Sequence, residues 1–349
     1  MKKPYFSIVI ITYNRSNFLK ANLKILLRQS FKDYEIVISD NASTDNTAKI
    51  VNSFKDKNIR FIRNRVNIGF PANIKKAMLL ASGKYIFTLG DDDFILTEDT
   101  LRRLKYLLDR NQYGIVRLNI LERNYYGPGL QKKLILLYDD KKIKANSNTD
   151  QILDFYKEVD IGMMSGIIFK NKNITPDKFI DCETYPWFKV VIDNTRKYGA
   201  YFLSDCYIVI TWTKVTNHQP SWIVKNNRLE FETYDRELFK LIPNKKRALY
   251  RFNYYKNYIS LFPVIKLYST NKNLIRFARR LLQLEPKLKE DMKLWFNLIV
   301  SLIIPKIIWI KVRLIYHGFN NKIESVSNLD SVTEKYNYLM GRYYKFLHL

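Results

Sequence analysis

Short apolar runs alternate with longer amphipathic segments over the first part of the chain. The runs are rich in β-branched residues and lie at 7–11, 35–39, 59–62 and 84–89. Between them, apolar residues recur at helical spacing, as at Leu19, Leu23 and Leu26. Successive runs begin about 25 residues apart, the length of a strand followed by a crossover helix. The pattern predicts a repeated β-α unit.

These runs do not alternate between apolar and polar residues, which indicates strands covered on both faces of a parallel sheet. Right-handed crossovers place the carboxyl ends of such strands at one edge, where ligands of open α/β sheets bind. Polar segments follow three of the runs, at 12–14, 40–41 and 90–93. We therefore expect these three segments to meet in one cleft.

The rest of the chain divides into a less regular middle and a helical end. Strands are predicted at 115–121, 134–138, 162–170 and 207–213, loops at 124–131 and 141–149, and a helix at 187–198 that Gly199 ends. Beyond about residue 225 the apolar residues keep helical spacing, with basic and aromatic residues interleaved. The predicted domains are accordingly 1–225 and 226–349.

Composition excludes several classes of protein. A hydrophobic content of 47% excludes wholesale disorder. The two cysteines, Cys182 and Cys206, are too few for a disulfide framework and fit a reducing cytoplasm. The opening residues do not resemble a secretory signal. The longest apolar stretch, 294–304, is shorter than the roughly 20 residues of a membrane-spanning helix.

The net charge of +26 predicts an anionic partner, and the basic excess lies toward the C-terminus. Residues 238–284 contain 11 Lys and Arg and no Asp or Glu. An anionic bilayer surface is the favoured partner, since basic and aromatic residues suit the headgroup region. A solvated surface and nucleic acid are the alternatives. The chain has no helix-turn-helix, zinc-finger or RNA-recognition signature, so nucleic acid is the weaker one.

Three adjacent carboxylates, Asp91, Asp92 and Asp93, follow the fourth apolar run. They repel one another, so a cation is needed to favour their ionised forms together. At the end of a buried strand they form a hard-oxygen site suited to Mg²⁺ or Mn²⁺. A simple turn or a helix cap is the alternative interpretation of this triplet.

The blocks SIVIITYNR, ISDNASTDNT and NRVNIGFPANIKKAMLLASGKYIFTLGDDD closely resemble glycosyltransferase family 2 over about residues 7–104. The resemblance implies a GT-A fold, which is Rossmann-like with a mostly parallel sheet and helices on both faces. It also implies inverting transfer from a nucleotide sugar. The LGDDD variant and the later ITWTKVTNHQPSW are similar to the abequosyltransferase-like branch of O-antigen and capsule enzymes.

The resemblance assigns nucleotide contacts to the ends of the first two strands. Thr12, Tyr13 and Asn14 would border the nucleobase, with the Tyr13 ring as a stacking face. Asp40 would accept the imide N–H of uracil. UDP is therefore the favoured nucleotide. Asn41 stands where the family often has a second acid, a difference that could redirect recognition of the base.

Further residues match the family's motifs for the ribose, the diphosphate and the cation. Asn67, Gly69 and Asn73 match the pattern N-x-G-x-x-x-N, in which Gly69 would permit a close backbone approach and Asn73 would face the ribose or diphosphate. Asp91 and Asp93 would be the ligands of the cation and the ribose-diphosphate. Asp92 could take either role. His218 would complete the metal shell or lie in an exposed loop.

Inversion also requires a base that takes the proton of the acceptor hydroxyl. The family usually supplies it as the Asp of a Glu-Asp pair at the start of an acceptor-side helix. That pair is absent here, where the helix begins Tyr185-Pro186-Trp187. Asp181 and Glu183, just upstream, are the nearest substitutes, with plain surface acids as the alternative.

Together these observations predict a metal-dependent inverting glycosyltransferase of bacterial surface-polysaccharide synthesis. Its acceptor would be a saccharide carried on polyprenyl diphosphate, and the enzyme would lie peripherally at the inner face of the cell membrane. A catalytically silent scaffold of the same fold and a nucleotidyltransferase are the alternatives. The oligomeric state is not predicted.

Overall fold

The computed structural model describes residues 3–124, 139–159, 161–180, 185–212, 236, 239–240, 244–268 and 270–309. The chain divides into two compact units. The first contains the described residues up to 180 and those at 185–212, and the second contains the described residues from 236 to 309. The predicted boundary at 225/226 lies outside the described residues.

The predicted β-α repeat forms one half of the sheet in the first unit. Its strands are β1 (Phe6–Thr12), β2 (Tyr34–Asp40), β3 (Ile59–Arg63) and β4 (Tyr85–Gly90), and its helices are α1 (Ser16–Leu26), α2 (Thr47–Ser53) and α3 (Phe70–Leu80). The strands are parallel in the order β3-β2-β1-β4. The prediction of a parallel sheet at the N-terminal end is confirmed.

The other half of the sheet mixes parallel and antiparallel pairs. It contains β5 (Phe94–Ile95), α4 (Thr100–Asn111), β6 (Ile115–Asn124), β7 (Lys141–Ile143), α5 (Thr149–Glu158), β8 (Ile167–Lys170), short 3₁₀ turns at Asn171–Asn173 and Pro176–Lys178, α6 (Phe188–Tyr198) and β9 (Ala200–Trp212). β8 lies between β4 and β6, antiparallel to both. β9 is parallel to β6. The short strands β5 and β7 both pair with β9 in the antiparallel direction.

Several predicted bounds in the middle of the chain need correction. The predicted loop at 141–149 contains β7, which has no apolar run and is a strand because its backbone pairs with β9. Only 167–170 of the predicted strand 162–170 is extended in the sheet. The helix predicted at 187–198 is confirmed as α6, and Gly199 ends it at φ +76°. The predicted strand 134–138 and most of the loop 124–131 lie outside the described residues.

The core explains why the β1–β4 runs are uninterrupted. Phe6, Ile8 and Ile10 of β1 belong to one apolar cluster with residues of α1 and α4, and Val9, which points to the opposite face, is equally buried. Burial of each large apolar side chain contributes about 1.5–3 kcal/mol. The sheet is therefore covered on both faces. A ligand can reach it at the carboxyl ends of the strands.

The second unit is helical in its described residues and has its own core. It contains α7 (Asn244–Asn257), a 3₁₀ turn (Tyr258–Leu261), α8 (Phe262–Tyr268), α9 (Asn271–Leu284), a 3₁₀ turn (Pro286–Glu290) and α10 (Met292–Ile303). Phe262, Phe277, Leu281 and Leu294 are buried in one cluster. In the part of the chain that the structure describes, no helix has both the length and the apolar character needed to cross a bilayer.

Candidate functional site

The ends of β2, β1 and β4 lie side by side at the carboxyl edge of the sheet. In the strand register, Thr12 is paired with Asp40, and Ile11 is paired with Gly90. The three polar segments predicted to meet, at 12–14, 40–41 and 90–93, therefore do meet. The sheet topology brings them together because β1 lies between β2 and β4.

The turn after β4 holds Asp93 through contacts that the sequence does not reveal. Ser165 donates its hydroxyl hydrogen to Asp93 Oδ2, and Ser165 Oγ accepts the Gly90 N–H at 2.8 Å. Asn22 of α1 donates to the Gly90 carbonyl at 2.9 Å. A Cβ on Gly90 would lie 2.6 Å from Asp93 Oδ2, so a larger residue here would displace the Asp93 carboxylate.

Arg15, directly after β1, is the cation nearest to the other two carboxylates in the described contacts. Its Nη1 lies 2.5 Å from Asp92 Oδ2 and 3.4 Å from Asp91 Oδ1. Burial, reinforced by the charge of Asp92, raises the pKa of Asp91 to about 7, although Arg15 and the Thr12 hydroxyl oppose the shift. Burial likewise raises the pKa of Asp92 against the opposing charge of Arg15. The charge of Arg15 therefore offsets only part of the effect of burial on Asp91 and Asp92.

This tip fits a divalent cation that is shared with a ligand. Asp91 and Asp93 are both at least nine-tenths buried, and an added positive charge would favour their ionised forms. The described residues contain no group of three or more His, Cys, Asp and Glu placed to hold a metal by themselves. Mg²⁺ commonly uses one or two carboxylates together with substrate phosphates, so two carboxylates suffice. His218 lies outside the described residues.

Asp40 is completely buried and is held by the loop that follows it. Its Oδ1 accepts hydrogen bonds from the backbone N–H and the hydroxyl of Ser43, at 3.0 and 2.5 Å. Its Oδ2 lies 3.4 Å from Nε of Arg63 without forming a hydrogen bond. Asp40 therefore keeps an acceptor for an N–H group, but a nucleobase reaches it only if a covering side chain moves.

The loop after β1 is tied to the loop after β2. Asn14 has φ +55° and donates its backbone N–H to Ser43 Oγ at 2.9 Å, while its Oδ1 accepts the Thr44 N–H at 2.7 Å. Tyr13 beside it is 46% exposed. The Tyr13 ring is thus available for stacking, whereas the side chain of Asn14 is used to fix the loop.

Four asparagines form a network between β2 and the turn before α3. Asn41 donates to Asn67 Oδ1 at 2.7 Å and accepts from Asn64 at 3.1 Å. Asn64 also donates to Asn73 Oδ1 at 2.9 Å, and Asn73 exchanges hydrogen bonds with Ser39. Asn41 and Asn73 are buried. Their described contacts position the loop, and direct contacts with ribose or diphosphate remain a prediction.

Gly69 starts α3 at φ +80°. A Cβ there would meet only Pro71 Cδ, at 3.9 Å, so its backbone angle rather than crowding requires glycine. The close approach of a ligand to the Gly69 backbone stays a prediction.

The two candidate bases, Asp181 and Glu183, lie outside the described residues, but both ends of their segment are described. Ile180 N–H donates to the Pro186 carbonyl at 3.0 Å. Trp187, which follows it, packs edge-on against Phe70 with ring centroids 6.1 Å apart. Phe70 is the residue after Gly69, so Trp187 lies next to the turn that precedes α3.

Sequence patterns missed Arg15, Asn22 and Ser165 as parts of the site. Ser165 is 72 residues from Asp93, and Asn22 lies on an otherwise ordinary amphipathic helix. Arg15 directly follows the segment Thr12-Tyr13-Asn14. A basic residue beside a segment predicted to lie near the acidic triplet was the signal that could have identified it.

Comparison with known proteins places this geometry in a family. Residues 7–171 match the model of glycosyl transferase family 2. The abequosyltransferase RfbV of Salmonella typhimurium is 32% identical over 184 residues, 48% of this chain and 53% of RfbV. The WfaP protein of Escherichia coli, a UDP-Glc:alpha-D-GlcNAc-diphosphoundecaprenol beta-1,3-glucosyltransferase, is 34% identical over 101 residues, 29% of this chain and 40% of WfaP. The chain thus spans about half or less of these relatives.

Solved structures share the fold at low sequence identity. S. aureus TarS 1-349 in complex with UDP-GlcNAc has a TM-score of 0.61 at 16% identity, covering 85% of this chain and 90% of TarS 1-349. The mannosyltransferase PcManGT of Pyrobaculum calidifontis, in complex with GDP-Man and Mn²⁺, has a TM-score of 0.51 at 14% identity and covers 86% of both chains. Residues 7–171 of this chain therefore form a glycosyl transferase family 2 domain, built on a GT-A fold.

Proposed function

We propose that the protein is a divalent-cation-dependent, inverting glycosyltransferase that uses a nucleotide sugar, with a UDP-sugar as the favoured donor. The proposed acceptor is a saccharide on polyprenyl diphosphate, in the synthesis of a bacterial surface polysaccharide such as O-antigen, capsule or a wall polymer. The observation that carries the proposal is the strand register, which brings Thr12, Asp40 and the tip of β4 to one edge.

The proposed nucleotide site uses the two loops beside Asp40. Tyr13 offers an exposed ring for the base, and Asp40 Oδ2 offers an acceptor for an imide N–H. The UDP-GlcNAc complex of TarS and the UDP-Glc donor in the name of WfaP support a uracil nucleotide. Asn67 and Gly69, at the rim of the same edge, would adjoin the ribose.

The proposed diphosphate site is the tip of β4. Asp91 and Asp93 would hold Mg²⁺ or Mn²⁺, and Asp92 is set apart by its pairing with Arg15. When bound, the cation would supply positive charge that stabilises the departing nucleoside diphosphate. Ser165 and Gly90 would keep the Asp93 carboxylate in one orientation through their hydrogen bonds.

The proposed acceptor side lies along the segment between Ile180 and Pro186. Asp181 or Glu183 would take the proton of the acceptor hydroxyl as its oxygen attacks the anomeric carbon. The packing of Trp187 on Phe70 supports this proposal, because it holds the start of α6 beside the turn that precedes α3. Asp193 of α6 pairs with Lys178 at 2.5 Å and is the poorer base.

The proposed place of action is the cytoplasmic face of the cell membrane, with the enzyme bound peripherally to an anionic lipid surface. The diphosphoundecaprenol acceptor in the name of WfaP supports this, since such an acceptor is held in a bilayer. The basic C-terminal third, with 11 Lys and Arg at 238–284, supports attraction to anionic lipid.

The test is a panel of UDP-, GDP- and dTDP-sugars incubated with the full chain and Mn²⁺, with the released nucleotides separated by chromatography. We expect slow release of the nucleoside diphosphate from one donor class, and its loss in EDTA. Asp93→Asn should lower the rate about 100-fold or more in protein that is still folded, because the amide oxygen can still accept from Ser165. A parallel incubation with UTP and a sugar 1-phosphate tests the alternative: release of pyrophosphate there would identify a nucleotidyltransferase. Binding of nucleotide sugars without turnover would identify a silent scaffold, and either outcome contradicts the proposal.

A further inference from the structure

Helix α10 has apolar side chains on two opposite faces. Leu294 and Leu298 pack into the core of the second unit, as expected for an amphipathic helix. Met292, Phe296, Ile299 and Ile303 are instead exposed, at 79%, 68%, 52% and 73%. A helix that is apolar on both faces normally has both faces covered.

The four exposed residues form one continuous stripe, which we call the α10 ridge. Their spacing of four, three and four residues places them on one side of the helix, over about 16 Å of its length. Ile307 and Ile308, after the helix, are exposed as well. Contiguous exposed apolar surface of this kind marks a site of interaction with a protein or a membrane.

The charges around the α10 ridge are mostly basic. Lys287, Lys289, Lys293 and Lys306 flank it and are exposed, against one exposed acid, Glu290. The neighbouring acids are already paired: Glu285 is buried and bonds Arg251 at 2.7 Å, and Asp291 pairs with Lys256 at 2.8 Å. An anionic partner is therefore favoured over a neutral or basic one.

Trp295 lies beside the ridge in a manner typical of a membrane interface. Its indole N–H donates to the Lys289 carbonyl at 2.7 Å, so the polar edge of the ring is satisfied by the protein. The ring is 38% exposed. Tryptophan with an apolar face and a satisfied polar edge suits the boundary between headgroups and acyl chains.

We propose that the α10 ridge inserts into the interfacial region of an anionic phospholipid bilayer, with the helix parallel to the membrane plane and the four lysines at the headgroups. The apolar side chains would supply the insertion and the lysines the selectivity for anionic lipid. The inference deepens the proposed function, because it names the surface by which the enzyme would reach a lipid-linked acceptor.

The test is co-sedimentation of the full chain with vesicles of phosphatidylglycerol and phosphatidylethanolamine, compared with vesicles of phosphatidylcholine alone. We expect binding to the anionic vesicles only. The double variant Phe296→Gln/Ile299→Gln should lose at least tenfold in vesicle affinity, and Lys289→Gln/Lys293→Gln about 25-fold, at about fivefold for each lysine. Tyr106→Gln, an exposed aromatic of α4 in the first unit, is the matched control and should bind as the unmodified chain does.

Two results would overturn the inference. One is equal vesicle binding by the unmodified chain and by Phe296→Gln/Ile299→Gln. The other is a dimer in sedimentation velocity that this double variant dissociates, which would make a second copy the occupant of the ridge. The readout is independent of turnover, since Asp93→Asn should bind vesicles normally. Failure of the glycosyltransferase proposal and failure of this one are therefore distinguishable.

Discussion

Arg15 forms ion pairs with two of the three adjacent carboxylates at the end of β4. It pairs closely with Asp92 and more distantly with Asp91, while Asp93 is held by Ser165 on the other side of the turn. The three acids therefore have different partners, although the sequence presents them as equivalent. The three carboxylates at this tip therefore have different surroundings.

The buried Asp91 should make the protein less stable as pH rises. Burial and the charge of Asp92 raise its pKa to about 7, above its ordinary value in the unfolded chain. A raised folded pKa stabilises the protein below the unfolded pKa, and this contribution is lost as pH rises through about 7. In EDTA, we expect the free energy of unfolding to fall by roughly 2 kcal/mol from pH 5 to pH 8 because of this group.

Asp91→Asn should remove that part of the pH dependence and raise the stability at pH 8. Urea unfolding followed by tryptophan fluorescence measures both quantities. Asp177→Asn, at an exposed acid of the same unit, is the control. Identical pH profiles for Asp91→Asn and the unmodified chain would contradict the assignment of the shift to Asp91.

Replacement of Arg15 should destabilise the tip of β4 in a way that a divalent cation relieves. Arg15→Gln leaves Asp91 and Asp92 without their cation, at a cost of about 1–3 kcal/mol, since Arg15 is itself partly exposed. Mn²⁺ should therefore raise the Tm of Arg15→Gln more than that of the unmodified chain. Arg28→Gln removes an exposed ion pair with Glu98 and should change little. If Mn²⁺ raised the Tm of Arg15→Gln no more than that of Arg28→Gln and the unmodified chain, the result would contradict a cation site at this tip.

At the scale of elements, two glycines at strand ends make close contacts that differ in how well the neighbouring atoms can move. A Cβ on Gly90 would meet the Asp93 carboxylate at 2.6 Å, whereas a Cβ on Gly114 would meet the Asn194 carbonyl of α6 at 2.2 Å. A carboxylate can swing away, but a helix backbone cannot without shifting the helix. The first glycine therefore serves the site and the second serves the packing of α6 on the sheet.

Gly90→Ala should accordingly lower donor and cation affinity at least tenfold while the protein stays folded. Gly114→Ala should destabilise the fold by about 1–3 kcal/mol or more. Calorimetric titration with UDP and Mn²⁺, together with urea unfolding, separates the two effects. The reverse pattern, with Gly114→Ala the more harmful to binding in folded protein, would refute this division.

At the scale of the whole molecule, the net charge of +26 should cause salt-sensitive binding to any polyanion. We expect retention on heparin or duplex DNA at low salt, with affinity falling about 1,000-fold or more between 50 and 200 mM NaCl if six or more phosphates are contacted. Phe296→Gln/Ile299→Gln should not alter this binding, because no apolar insertion is involved. Fluorescence anisotropy with labelled DNA of two unrelated sequences measures it, and a strong sequence preference would contradict a purely electrostatic origin.

The parallel half of the sheet was predictable because its strands are buried on both faces and read as continuous apolar runs. The strands β5 and β7 were not, since a two- or three-residue strand carries no periodicity and exists only through pairing with β9. The position of β8 between β4 and β6 was equally hidden. Backbone pairing between distant segments depends on which strand of the sheet still has unpaired N–H and C=O groups along its side. The hydrophobic pattern of the sequence carries no information on this.

Local sequence determined the first four strands, their crossover helices, the acidic triplet and the basic C-terminal third, because burial, helical spacing and charge act on neighbouring residues. Only the tertiary structure determined that Asp93 accepts a hydrogen bond from Ser165 and that Arg15 lies closest to Asp92. It also determined that Asn41 and Asn73 bond within one asparagine network, and that one apolar face of α10 is exposed. Each of these depends on side chains far apart in the chain, whose distance is set by the packing of the whole unit.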